Sequence, residues 1–340
     1  MAFGIKKLHL TDETPIEKLE NISKELGVEF YIKRDDLTKY GCGGNKLRKL
    51  EYLMQDALDQ EASMVLTVGG GQTNHGRLTA AVAAKLGLKC AILAIDNYPG
   101  ELTANMLLDR LMGCELIIKS DDGTDEYEQL DRIVPEIIRE YEAKGEKVYY
   151  IPMGGSNEIG ALGYYDCAVE IDRQAREMGI EDARIFESVG SLGTYIGLFC
   201  GLKDIGSSLK LTGIAISPFG DSKEKRIVEY FNQVKEKYGL SFDANRGDFD
   251  IEKAYTRGGY NNLSDEVRKA IYYMAQKEAI ILDPCYTGKG FAGILEMISE
   301  GKIKRGEKII YIHTGGMPGI YTPHHREAFE EELIDGVRLI

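Results

Sequence analysis

The sequence predicts an α/β protein made of open, twisted, mostly parallel sheets with helices on both faces. Two observations carry that prediction. Short apolar runs rich in β-branched residues alternate with longer helical patterns, the signature of βαβ units. The runs VLTV, AILAI and IIYI are continuously rather than alternately apolar, as strands covered on both faces are. With 340 residues the chain is larger than one typical core, so two domains are expected.

Taken in order, ASMVLTVGG (62–70) leads to the helical GRLTAAVAAKLGL (76–88). KCAILAI (89–95) leads to ELTANMLLDRLMG (101–113), and CELIIKS (114–120) to YEQLDRIVPEIIREYEAKG (127–145). KVYYIPMGG, RIFESVGS, LKLTGIAIS and KIIYIHTGG complete the strand set. Four strands run into glycine-rich tips, at 67–76, 151–160, 187–197 and 312–319. Ligands of open α/β sheets collect beyond the carboxyl ends of strands, so four such tips point to a shared anionic site. Residues 241–262 lack periodicity and form a candidate active-site loop.

Composition narrows the function. The net charge is −13 and no basic block stands out, which excludes a nucleic-acid face. No apolar segment is long enough for a bilayer, and the N-terminus has no secretory pattern. The six cysteines are scattered without a CxxC pair, so a cytoplasmic protein with free thiols and no metal site is expected.

Gly190-Ser191-Leu192-Gly193-Thr194 lies between a strand and an apolar helix. Backbone N–H groups, two hydroxyls and a helix N-terminus converge there, which suits a phosphate; a glycine-lined packing turn is the alternative. The spacing is neither that of a dinucleotide fingerprint nor, at Gly288-Lys289-Gly290, that of a Walker loop. Gln72-Thr73-Asn74-His75 also opens a helix and suits a carboxylate, or a plain N-cap. Tyr260 and Tyr286 sit on glycine-flanked turns, where a phenol serves as acid, base, aromatic wall or simple packing. Thr314 ends a buried strand, facing a ring nitrogen or capping a turn. In YGCGGNKLRKLEYL (40–53), Lys46 follows a glycine-rich turn and reads as surface charge, phosphate clamp or Schiff-base amine.

Together KRDDL (33–37), GGNKLRKLEYL (43–53), GGGQTNH (69–75), AAVAAKLGL (80–88), GGSNEIGALGY (154–164), the 190–194 loop, LDPCYTGKG (282–290) and HTGG (313–316) resemble a known family. It is that of the fold-type-II pyridoxal-phosphate enzymes, in the branch of D-cysteine desulfhydrase and 1-aminocyclopropane-1-carboxylate deaminase. The resemblance implies a tryptophan-synthase-β-like fold, with a small domain (49–159) inserted into a large one (1–48 and 160–340). It implies pyridoxal 5′-phosphate in the cleft between them, a small amino-acid substrate and a homodimer.

By the same resemblance, Lys46 forms the Schiff base and Gly190, Ser191, Leu192, Gly193 and Thr194 cradle the phosphate. Asn74 bonds the phenolic oxygen, and Thr314 or Thr287 faces the pyridine nitrogen. Thr73, Asn74 and His75 hold the substrate carboxylate, and Tyr260 and Tyr286 flank the substrate. The deaminase branch resembles this chain less at one position, where it has Tyr-Glu for Tyr286-Thr287. Both branches normally have serine at Thr73, whose extra methyl stiffens χ1. The implied activity is β-elimination, most simply D-cysteine to pyruvate, sulfide and ammonia. A lyase for another substrate such as cysteate, the deaminase, and a non-catalytic amino-acid-binding protein are the successive alternatives.

Overall fold

The computed structural model describes residues 2–96 and 100–338. Ten strands among them form two separate sheets. The larger contains β1 (Ile16–Lys18), β2 (Glu29–Lys33), β7 (Arg184–Val189), β8 (Lys210–Ala215), β9 (Ile251–Glu252) and β10 (Lys308–Ile312), in the order β1-β2-β10-β7-β8-β9. Only the β1–β2 pair is antiparallel. The smaller is wholly parallel, in the order β5-β4-β3-β6, from β3 (Met64–Gly69), β4 (Lys89–Ile95), β5 (Glu115–Lys119) and β6 (Val148–Ile151). The α/β class with mostly parallel sheets is therefore correct.

Alternation along the strands sends side chains to two cores in each sheet. From β2, Phe30 and Ile32 join a core with α1 (Glu20–Leu26), α9 (Asp265–Glu278) and α10 (Thr287–Ser299). Tyr31 points the other way, toward α6 (Glu158–Met178) and α7 (Gly193–Asp204). In the small sheet, Val65 faces α2 (Lys46–Asp59) and α3 (Asn74–Leu86), while Leu66 and Val68 face α5 (Glu126–Ala143). The remaining helices are α4 (Ala104–Leu111), α8 (Asp221–Tyr238) and α11 (Pro323–Leu333). No described helix is long and apolar enough to cross a membrane.

The predicted strands at 62–70, 89–95 and 114–120 appear as β3, β4 and β5 with ends shifted by at most two residues. The segment 241–262 holds only a single 3-10 turn (Arg246–Asp248) and the two-residue β9, as its lack of periodicity implied.

Candidate active site

Lys46 begins α2, and the preceding chain explains why glycine is needed there. Gly43 (φ +70°) lies so close to the Asp36 carbonyl that a Cβ would stand 2.0 Å from its oxygen. The turn is gripped by Arg77 of α3, which donates to the carbonyls of Gly41 and Gly43 (3.3 Å for the latter). Beneath the helix, Arg48 is buried between Asp35 (2.9 Å) and Glu170 (2.8 Å), so the first turn of α2 stands on a fully paired charge cluster. Lys46 itself opens onto a cavity of about 440 Å³ at the carboxyl ends of both sheets, and onto a narrow pocket of about 20 Å³ beneath it. Burial pulls its amine down to about 8.

The 190–194 loop closes the floor of the narrow pocket. Leu192 adopts a left-handed conformation (φ 68°) and delivers Gly193 as the first residue of α7. The Ser191 hydroxyl accepts from Ser156 (2.9 Å), and the Thr194 hydroxyl accepts from the Asn45 amide (2.9 Å). A Cβ on Gly193 would stand 2.5 Å from the amine of Lys49. Lys49, one helical turn after Lys46, is fully buried and donates to the Gly154 carbonyl (3.1 Å). Burial and then the charge of Lys46 hold its amine well below the ordinary lysine range. A glycine loop with a left-handed turn at Leu192, the N-terminus of α7 and a buried amine without a carboxylate bond fit a phosphate dianion.

The α3 end supplies a second set. The Thr73 hydroxyl caps the helix by accepting from the Gly76 N–H (3.3 Å). Its methyl is accommodated by Gly76, where a Cβ would meet it at 2.5 Å. The Asn74 Oδ1 accepts from Asn105 (3.0 Å) and Arg77 (3.4 Å), which leaves its Nδ2 as the donor for the pocket. His75 lines the cavity, but its Nε2 is engaged with Thr67 (2.9 Å). Burial and the two lysines keep that imidazole neutral.

Opposite Lys46, Tyr286 donates to the Tyr260 hydroxyl (3.1 Å), with the rings edge to face at 5.7 Å. Desolvation within the cavity raises both phenols well above their ordinary value, although Tyr260 keeps an exposed edge (42%), so both are protonated at neutral pH. Thr314 lines the narrow pocket. Thr287 does not: its hydroxyl donates to Asp283 Oδ1 (2.7 Å) and accepts from the Asp283 N–H (2.8 Å), one layer behind the wall. The structure thus gathers Lys46, Thr73, Asn74, His75, Gly190–Thr194, Tyr260, Tyr286 and Thr314 around connected spaces, and sets Thr287 behind them.

Three residues escaped the sequence reading. Lys49 was legible as the i+3 neighbour of Lys46 on one helix face. Glu187 lines the narrow pocket from the large sheet. Lys289 is buried, and its ammonium donates to the carbonyls of Ile216 (3.3 Å), Thr256 (3.4 Å) and Gly259, pinning the segment that carries Tyr260.

Known proteins resemble this chain over nearly its whole length. The family described as pyridoxal-phosphate dependent enzyme matches residues 8–315. The chain belongs to that family. Among pyridoxal-phosphate dependent enzymes it is 38% identical, over 95% of its length and 94% of the relative's, to a protein of Pyrococcus abyssi provisionally named 1-aminocyclopropane-1-carboxylate deaminase. It is 39% identical, over 92% of its length and 94% of the relative's, to the D-cysteine desulfhydrase of Klebsiella pneumoniae. A solved structure described as an ACC deaminase homologue superposes with a TM-score of 0.86 at 37% identity, covering 98% of this chain and 97% of the other. Threonine deaminase isoform 2 of Solanum lycopersicum shares the fold alone, at 21% identity and a TM-score of 0.63, with 96% of this chain and 85% of that one covered. The cofactor is pyridoxal phosphate, and the lysine pair, loop and pocket described above fit it.

Proposed function

We propose that this chain is a β-eliminating lyase that converts D-cysteine and water to pyruvate, sulfide and ammonia. The observation that carries the reading is the opposition, across one cavity, of the Lys46 amine and the Tyr286–Tyr260 hydroxyl pair. Pyridoxal phosphate, when bound, supplies the electron sink that makes the substrate's α-proton acidic. In this reading Lys49 and the 190–194 loop hold the phosphate, Asn74 donates through Nδ2 to the phenolic oxygen, and Thr314 meets the ring nitrogen. Thr73 and the first N–H groups of α3 hold the substrate carboxylate. Lys46, with an amine near neutrality, and the tyrosine pair are the groups available to take the α-proton and to protonate the departing thiolate. The neutral threonine at 287, already spent on Asp283, supports elimination of a good leaving group over opening of a strained ring.

The working units in this reading are 1–48 with 160–340, and 49–159, in a cytoplasmic homodimer. The test is sulfide release by cofactor-loaded protein from D-cysteine, with L-cysteine, D-cysteate and 1-aminocyclopropane-1-carboxylate in parallel. Sulfide from the D-isomer supports the reading; sulfite from cysteate, or 2-oxobutyrate from the cyclopropane, replaces it by the corresponding rival. The deaminase is favoured specifically by the name of the archaeal relative. Lys46→Ala is expected to abolish both turnover and the absorbance of covalently held cofactor; retained turnover would sink the assignment.

A further inference from the structure

Glu187 has no role in the account above, and its position demands one. It stands on β7, three residues before the glycine that opens the phosphate loop, opposite Gly213 of β8. Its neighbour Ser188 bonds the Tyr286 carbonyl and the Tyr311 hydroxyl (3.0 Å each). Glu187 instead lines the narrow pocket with Lys46, Asn45, Asn74, Thr194 and Thr314. It is 3% exposed, and its Oε2 has no hydrogen-bond partner among the described residues. A buried carboxylate left so costs free energy unless it carries a proton or faces a cation. The charged groups it faces are Lys46 and Lys49 of α2; the phenols of Tyr195 on α7 and Tyr311 on β10 are the other titratable groups near it. Those phenols are already committed, Tyr195 to the Asp250 carbonyl and Tyr311 to the Thr287 carbonyl. His75, across the pocket, is neutral.

We propose that Glu187 is a positioning residue for Lys46: its buried carboxylate, facing the amine across the narrow pocket, raises the proton affinity of Lys46 and so sets the pH at which the amine becomes a nucleophile. It rests on the reading that Lys46 is the cofactor lysine. Burial lifts the Glu187 carboxyl to about 7 and lowers the Lys46 amine to about 8, so the carboxylate carries its charge over the range in which the amine titrates. Lys49, held to the Gly154 carbonyl, is left for the phosphate.

The experiment measures, in cofactor-stripped protein, the pH profile of acetylation at Lys46 by peptide mass spectrometry, with Lys49 followed in the same digest. Glu187→Gln removes the negative charge and is expected to move the Lys46 midpoint down by about one pH unit. Glu187→Asp, which withdraws the carboxylate by one methylene, is expected to shift it the same way by less. An unchanged Lys46 midpoint in the Gln variant overturns the proposal. If that variant does not fold, an unchanged midpoint in the Asp variant does so. Borohydride trapping of pyridoxal phosphate on wild-type protein separates the two claims. A trapped lysine other than Lys46 defeats the underlying reading, whereas trapping at Lys46 with a midpoint indifferent to Glu187 defeats only this inference.

Discussion

Thr73 caps α3 and faces the cavity at once, so its two substituents have separable consequences. The hydroxyl accepts from Gly76, and the methyl sits over the same glycine. Thr73→Ser keeps the cap and is expected to leave KM for the substrate within about twofold. Thr73→Val loses the hydroxyl. It is expected to destabilise the protein by about 1 kcal/mol in denaturant unfolding and to raise KM by about tenfold, about 1.4 kcal/mol of binding. An unaltered KM in the valine variant would remove Thr73 from the carboxylate site. At this scale the lysine, the glycine loop and Asn74 were legible because glycine and helix-start signals are local. Lys49 was legible only as the helix-face neighbour of Lys46, and Glu187 and Lys289 were not. A glutamate inside a strand and a lysine between glycines each acquire meaning only from what the other strands place beside them.

The segment 255–261 shows how an element without regular structure is nevertheless fixed. Arg257, Gly258, Gly259 and Asn261 all have positive φ, so the path is one that few sequences hold unaided. The buried Lys289 ammonium on α10 substitutes for a ladder of backbone bonds by collecting the carbonyls of Thr256 and Gly259, with that of Ile216 at the end of β8. Lys289→Met is expected to free the segment and to speed tryptic cleavage after Arg257 by about an order of magnitude, a rate governed by local opening. It should also raise KM, through displacement of Tyr260. Cleavage at the wild-type rate would show that the segment holds itself. The sequence marks this stretch as a loop through its missing periodicity, but nothing local could show that it is rigid. Strands β3, β4 and β5 were legible through their apolar runs, whereas β1 gains its strand character from pairing with β2, β2 from β10 and β9 from β8.

At the scale of the whole molecule, stability against pH is set in part by one buried carboxylate. Asp109 on α4 is 1% exposed, neither carboxylate oxygen has a hydrogen-bond partner among the described residues, and Arg77 is the cation near it. Burial lifts its carboxyl to about 7. A folded value above the unfolded one means that stability is fully present below about pH 4 and is lost as pH rises through 7. Asp109→Asn is therefore expected to be more stable relative to wild type at pH 8.5 than at pH 5, by about 2.7 kcal/mol. Thermal unfolding at the two pH values checks this, and a parallel loss in both proteins would refute it.

Arg77 is also the residue that holds the turn before Lys46, reaching it from α3, the neighbouring helix in the same core. It works as a strut. The placement of the Lys46 amine is set from α3 as well as from the helix that carries it, so two helices register the nucleophile against one glycine turn.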